Sequence, residues 1–226
     1  MSRDPTAALD PAGREALRKV LELLASERAS VSSVVDERAW RVHVADSLTG
    51  LEVGELAAAK RIADIGAGAG FPGVALAATL PTAEVDLVES VGRKCEFMRR
   101  AIDAAGIANA HVLNLRSEDL AAAEGRDAYD AVTARAVGRL STLAELASPL
   151  LKPNGVLIAW KGKRDPDEES QLESAAESLA MRPESILDVG DRAGSQHRHL
   201  HVIRKTTATP PDLPRRPGMA KKRPKG

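Results

Sequence analysis

Aromatic side chains are almost absent from this chain: two Trp, two Phe and one Tyr make up 2% of its 226 residues. That scarcity excludes a protein that grips single-stranded nucleic acid mainly by stacking bases on aromatic platforms. Any nucleic-acid recognition must lean on charge and on the shape of a larger particle. Cysteine is nearly missing as well. Cys95 alone can form neither an internal disulfide nor a multi-cysteine metal site, which suits a reducing compartment, and its expected role is that of a small buried helix residue. No run approaches the roughly 18 apolar residues of a spanning helix, and the opening MSRDPTAALD lacks the apolar core of a signal peptide. A cytoplasmic protein without membrane association is expected.

Net charge is absent too, since 32 Lys and Arg balance 32 Asp and Glu, but the balance is uneven along the chain. From Arg198 onward there are nine basic residues (Arg198, Arg204, Lys205, Arg215, Arg216, Lys221, Lys222, Arg223, Lys225) against one acid, Asp212. Nine minus one is +8, so the remainder carries −8. A basic end on an acidic body points to a polyanionic partner such as nucleic acid, although a solubilising tail would have the same composition.

What is present is an ordinary globular composition, 43% apolar and 28% charged, in a chain long enough for one α/β domain. Helical spacing runs through residues 12–25 (Ala16, Val20, Leu23, Leu24) and 36–51 (Trp40, Val44, Leu48). Beyond Lys60, short apolar runs at 61–66, 84–89, 110–115, 129–136 and 155–162 read as strands, separated by helices at 74–80, 94–105, 118–123 and 140–151. Strict alternation implies parallel strands joined by right-handed crossovers. After a helix around 168–180, the runs 185–190 and 199–205 flank the polar loop DRAGSQHR and form an antiparallel hairpin. The expected fold is therefore a Rossmann-like α/β domain over residues 60–205, with a seven-stranded, mostly parallel sheet closed by that hairpin. An N-terminal helical segment, 1–59, packs on it, and a basic, Pro-rich, irregular tail, 206–226, follows.

The strongest motif is ADIGAGAGFPG, from Ala63 to Gly73. A strand runs into closely spaced glycines and then a helix whose first position is read as Pro72. Gly66, Gly68 and Gly70 let a ligand lie against the backbone, and free N–H groups at the helix start favour an anionic group such as a methionine carboxylate. Glu89, at the end of the second strand, can accept both hydroxyls of a ribose. Gly68, Gly70 and Gly73 also satisfy the G-x-G-x-x-G of dinucleotide sites, so the pattern alone does not choose between cofactors. Asp64 before the glycines and the terminal hairpin favour S-adenosylmethionine over a nicotinamide dinucleotide.

With these residues in view, the chain resembles the ribosomal RNA small subunit methyltransferase G family, also called glucose-inhibited division protein B. The resemblance rests on HVADSL (43–48), DIGAGAGFPG (64–73), DLVESVGRKCEFM (86–98), the pair Ser117 and Glu118, TARAV (133–137), WKGK (160–163), RHLHVIRK (198–205) and RRPGMAKKRP near the end. It implies methyl transfer from S-adenosylmethionine to nitrogen 7 of one guanine in the decoding-region loop of 16S rRNA, the loop associated with streptomycin response. It also implies cofactor contacts at Gly66, Phe71, Ser117, Glu118 and Arg135, with Glu89 on the ribose, and basic residues Arg135, Lys161 and Arg198 around the transfer pocket. The partner would be 16S rRNA, the small ribosomal subunit or an assembly intermediate; the protein would act as a monomer and without a metal.

The residue chemistry is compatible with that reading. Guanine N7 carries an in-plane lone pair, so methylation needs positioning and electrostatics rather than a base or nucleophile. The chain has no Asn-Pro-Pro-Tyr-like motif for an exocyclic amine, and Cys95 follows Lys94 rather than a proline. Arg and Lys can hold guanine O6 and phosphates while leaving N7 free. Taken singly, each of these cations could equally be a solvated charge or an ion pair, and His43 and Asp46, at i and i+3, could make a structural hydrogen bond or a ligand contact. Two other readings share these features: a methyltransferase of the same fold acting on a small molecule or protein, and a non-catalytic RNA-binding assembly factor. Removing the tail after Thr206 is expected to weaken RNA binding and leave cofactor binding intact.

Overall fold

The computed structural model describes residues 4–27, 34, 38–190 and 197–225. Most of the loop 191–198 and the start of the stretch expected to be helical from 36 lie outside them. Helix α1 (Pro11–Ser26) begins where Asp10 accepts the Gly13 N–H at 2.7 Å and Pro11 occupies the first turn, where its missing N–H costs nothing. Its Leu17, Val20 and Leu24 are buried. The second helical stretch is less regular than expected: a π-helical turn, Trp40–Ala45, runs into α2 (Asp46–Leu48), a 3-10 turn, Thr49–Glu52, and then α3 (Gly54–Ala58).

Strands β1 (Arg61–Ile65), β2 (Glu84–Val88), β3 (Ala110–Leu113), β4 (Tyr129–Arg135), β5 (Leu151–Lys161), β6 (Met181–Asp188) and β7 (His199–Lys205) form one sheet in the order β3-β2-β1-β4-β5-β7-β6. The first five are parallel, and β7 runs antiparallel to both β5 and β6. The expected seven-stranded sheet is present, with β7 inserted between β5 and β6. Helices α4 (Gly73–Thr79), α5 (Gly92–Ala105), α6 (Ser117–Ala121), α7 (Leu140–Ala147) and α8 (Pro166–Ala175) make the crossovers.

Residues of β5 alternate between two cores, which shows how the layers are arranged. Val156, Ile158 and Trp160 join α1, α4 and α5 on one face. Leu157 and Ala159 join α6, α7 and α8 on the other. Two strands start earlier than periodicity suggested. β5 pairs from Leu151, and residues Lys152–Gly155 bulge out between the Tyr129–Leu151 and Ala131–Val156 pairs. β6 pairs from Met181 with a register shift after Pro183, a tolerable place for proline because β6 is the sheet edge. Pro72 precedes α4 as its N-cap rather than opening it.

The segment after β7 is mostly irregular, as expected, but it is packed. Leu213 is buried in the α6–α8 core, Arg126 donates to the Leu213 carbonyl at 2.9 Å, and a single turn, α9 (Met219–Lys222), buries Ala220. Much of the basic charge is paired within the fold. Lys205 is fully buried with Asp127, Arg204 meets Glu55 and Glu184, Arg198 meets Asp46, Arg215 meets Glu145 and Lys225 meets Asp212. Arg216, Lys221, Lys222 and Arg223 have no ion pair among the described residues.

Candidate functional site

The carboxyl ends of β1, β2 and β3 open onto a cavity of about 400 Å³, where ligands bind in open parallel sheets. Its apolar walls are Ile65, Val88, Leu115, Val137 and Leu146, and its polar groups include Glu89, Ser117 and Glu118. Apolar walls together with carboxylates suit a ligand with an aromatic body and several hydroxyl or amine donors. Glu89 directly follows β2 with its carboxylate held in place: Oε2 accepts from Gly68 N–H at 3.1 Å and Oε1 from Val91 N–H at 2.9 Å. The Lys94 ammonium lies 3.8 Å away. Ser117 Oγ donates to Glu118 Oε2 at 3.2 Å.

The glycine loop is shaped from beneath by Asp64. This buried carboxylate accepts the Gly73 N–H and the Thr133 hydroxyl, each at 2.9 Å. Burial nevertheless pushes its pKa up to about 6, against the downward pull of those two bonds. Gly73 is required for packing, since a Cβ there would lie 2.3 Å from Leu87 and 2.9 Å from Asp64. Gly66 has φ +66 and lies on the cavity, with Val137 behind it. Gly68 and Gly70 take positive φ to make the turn.

A second cluster lies beside the loop on the α1/α4 face. Asp46, buried on α2, accepts from Arg135 Nη1 at 2.8 Å through one oxygen and from Arg198 Nε at 2.7 Å through the other. Its backbone carbonyl accepts from the Trp160 indole at 2.9 Å, which locks the helical stretch to β5. Arg135 also donates to the Val42 carbonyl. Phe71 stacks on His43 with ring centroids 5.0 Å apart, and the Arg135 guanidinium lies 5.9 Å from the Phe71 ring. His43 Nε2 lies 2.9 Å from the Val34 carbonyl, which selects the Nε2–H tautomer and leaves Nδ1 to accept from Arg135 Nη2 at 3.4 Å. Burial holds the imidazole below its ordinary pKa, so His43 is neutral at pH 7.

Of the residues singled out from sequence, Gly66, Glu89, Ser117 and Glu118 share the cavity. Phe71, Arg135 and Arg198 share the Asp46 cluster, and the glycine loop touches both through Gly66 and Phe71. Asp64, Gly68 and Gly70 support the loop and do not line the cavity. Lys161 is apart. It follows Trp160 on β5 and so projects to the α7/α8 face, where its ammonium donates to Glu168 at 2.7 Å and to the Gly138 carbonyl at 2.9 Å. Two features were not read from sequence. Asp46 as the hub of the cations had one signal, its i, i+3 spacing from His43. The cavity wall made by Gly218, Ala220, Lys221 and Lys222 had none beyond tail composition.

Known proteins resemble the chain along most of its length. The family model described as rRNA small subunit methyltransferase G matches residues 16–200. A protein of Rubrobacter xylanophilus named ribosomal RNA small subunit methyltransferase G is 39% identical over 96% of this chain and 88% of its own length. One of the same name from Desulfitobacterium hafniense is 36% identical over 88% of this chain and 83% of its own. Among solved structures, a SAM-dependent methyltransferase from Aquifex aeolicus is similar in fold, with TM-score 0.56 and 18% identity over 76% of this chain and 94% of that one.

Proposed function

The chain belongs to the rRNA small subunit methyltransferase G family, and on that premise we propose that it methylates nitrogen 7 of one guanine in the decoding-region loop of 16S rRNA. S-adenosylmethionine is its cofactor. The residues of the cavity fit that group: Glu89 and Glu118 offer carboxylate oxygens for ribose hydroxyls and an adenine amine, and the apolar walls suit a purine. When bound, S-adenosylmethionine supplies an electrophilic methyl group on a sulfonium.

The remaining work is positioning. Guanine N7 needs no deprotonation, so no general base is required, and the Asp46 cluster offers none: His43 has its Nδ1 turned to Arg135. Arg135 and Arg198 present guanidinium edges that can hold guanine O6 or a phosphate while leaving N7 free to attack in line. Asp46 holds those two like charges together; without it they would repel and swing apart. Lys161, on the other face, contributes to the shape of the β4–α7 loop through Gly138.

The observation that supports this reading most directly is the adjacency, across one glycine loop, of a carboxylate-lined cavity and a carboxylate-bridged arginine pair. The substrate is the small subunit or an assembly intermediate, met in the cytoplasm by a monomer through charge and shape. Mass spectrometry of 16S rRNA from cells lacking the protein tests the proposal. One 7-methylguanosine should disappear, with an altered streptomycin response, and adding purified protein and S-adenosylmethionine to those subunits should restore it. Retention of that nucleoside would refute the site, and methylation of a protein or small molecule instead would move the substrate.

A further inference from the structure

The C-terminal segment, which composition reads as a tail attracted to a polyanion or one that is merely solubilising, folds back over the cavity. Gly218, Ala220, Lys221 and Lys222 line it together with Glu89, Ser117 and Glu118. Gly218 N–H donates to Glu118 Oε1 at 2.7 Å, the oxygen that Ser117 does not contact. Thr142, itself on the cavity, donates through its hydroxyl to the Ala220 carbonyl at 3.3 Å. Two anchors hold this wall. Leu213 is buried in the core, and Arg215 forks onto Glu145 of α7 with both contacts at 2.5 Å, the Glu145 side chain being only 3% exposed. Arg215 also donates to the Arg223 carbonyl at 2.7 Å, which closes the segment into a loop around the four wall residues.

We propose that residues Arg215–Lys222 are a structural wall of the S-adenosylmethionine site, with Glu145 a positioning residue that acts through Arg215. The inference rests on the reading of this cavity as the cofactor site. Its chemistry is specific. Glu118 lies at the end of a strand-to-helix loop and would be hydrated if the wall were absent; with Gly218 on one oxygen, its carboxylate is oriented and shielded before the cofactor arrives. Lys221 and Lys222 also line the cavity and bring two positive charges to the wall that the polyanionic substrate would approach. Tail removal should therefore weaken cofactor binding, contrary to the expectation from composition.

The test is calorimetric titration of the full chain, of Arg215→Gln and of Glu145→Arg/Arg215→Glu with S-adenosylhomocysteine, each variant checked for an unchanged far-ultraviolet spectrum. Arg215→Gln should weaken affinity about tenfold, a typical coupling between linked sites, and the reversed pair should recover part of it, which general destabilisation would not do. Trypsin digestion of the wild-type chain removes dependence on variant folding: saturating S-adenosylhomocysteine should slow cleavage after Arg215, Lys221 and Lys222. Equal affinity in the wild type and Arg215→Gln, or cleavage indifferent to the ligand, would overturn the inference while leaving the cofactor site standing. A wild-type chain that fails to bind S-adenosylhomocysteine would remove the reading of the cavity and the inference with it.

Discussion

Replacing Asp46 by Asn separates the arginine pair from the charge that holds it. At an effective dielectric near 20, each carboxylate–guanidinium pair at about 4 Å is attractive by about 4 kcal/mol before desolvation. Removing one partner of a buried pair typically costs about 3–5 kcal/mol because the survivors stay uncompensated. Here the survivors are not wholly trapped, with 13% of the Arg135 side chain and 22% of the Arg198 side chain exposed. They can rotate toward water, so the stability cost should fall to about 2–3 kcal/mol. Activity should suffer more. Arg135 keeps the Val42 carbonyl, but Arg198 loses its side-chain partner among the described residues, and a misplacement of about 1 Å at a transfer site can cost about 100-fold in rate. The assay is transfer of labelled methyl groups to small subunits from a strain lacking the protein, with KM for S-adenosylmethionine measured separately. Asp46→Asn should lower kcat by about 100-fold, with KM for the cofactor nearly unchanged. A folded variant with kcat within twofold of the wild type would refute the positioning argument; an equal rise in cofactor KM would mean the cluster belongs to the cavity.

Two further outcomes test the cavity and its loop. Glu89→Ala should weaken S-adenosylmethionine binding by about 2–4 kcal/mol, roughly 30- to 1000-fold, through loss of two charge-assisted hydrogen bonds to a ribose. Glu89→Gln should lose less, and unchanged affinity on calorimetric titration would place the ribose elsewhere. Asp64, with its pKa raised from 3.8 to about 6, favours the folded state most below pH 3.8, and that contribution is lost as pH rises through 6. At about 1.4 kcal/mol per pKa unit the difference is about 3 kcal/mol. Asp64→Asn can still accept from Gly73 and can donate to Thr133, so urea unfolding from pH 4 to pH 7 should show the variant gaining on the wild type by about that amount. A pH-independent difference would mean that burial does not hold the carboxyl protonated.

The amino-acid sequence by itself determined the element order, because apolar periodicity is local: period 2 in the strands and 3.6 in the helices. It also determined the glycine loop and the strand-end Glu89, since both depend on residues adjacent in the chain. What it could not determine was where the cations point. Lys161 and Trp160 are neighbours, and only sheet pleating sends one to Glu168 and the other to Asp46. Nor could composition divide the basic end into paired and unpaired charge. Arg204, Lys205 and Arg215 find carboxylates 149, 78 and 70 residues away, on Glu55, Asp127 and Glu145. The same separation hid the wall of the cavity, because Gly218 meets Glu118 across 100 residues. Contacts of that span carry no local pattern; they exist only once the sheet and its two helical layers bring distant segments within a hydrogen bond of each other.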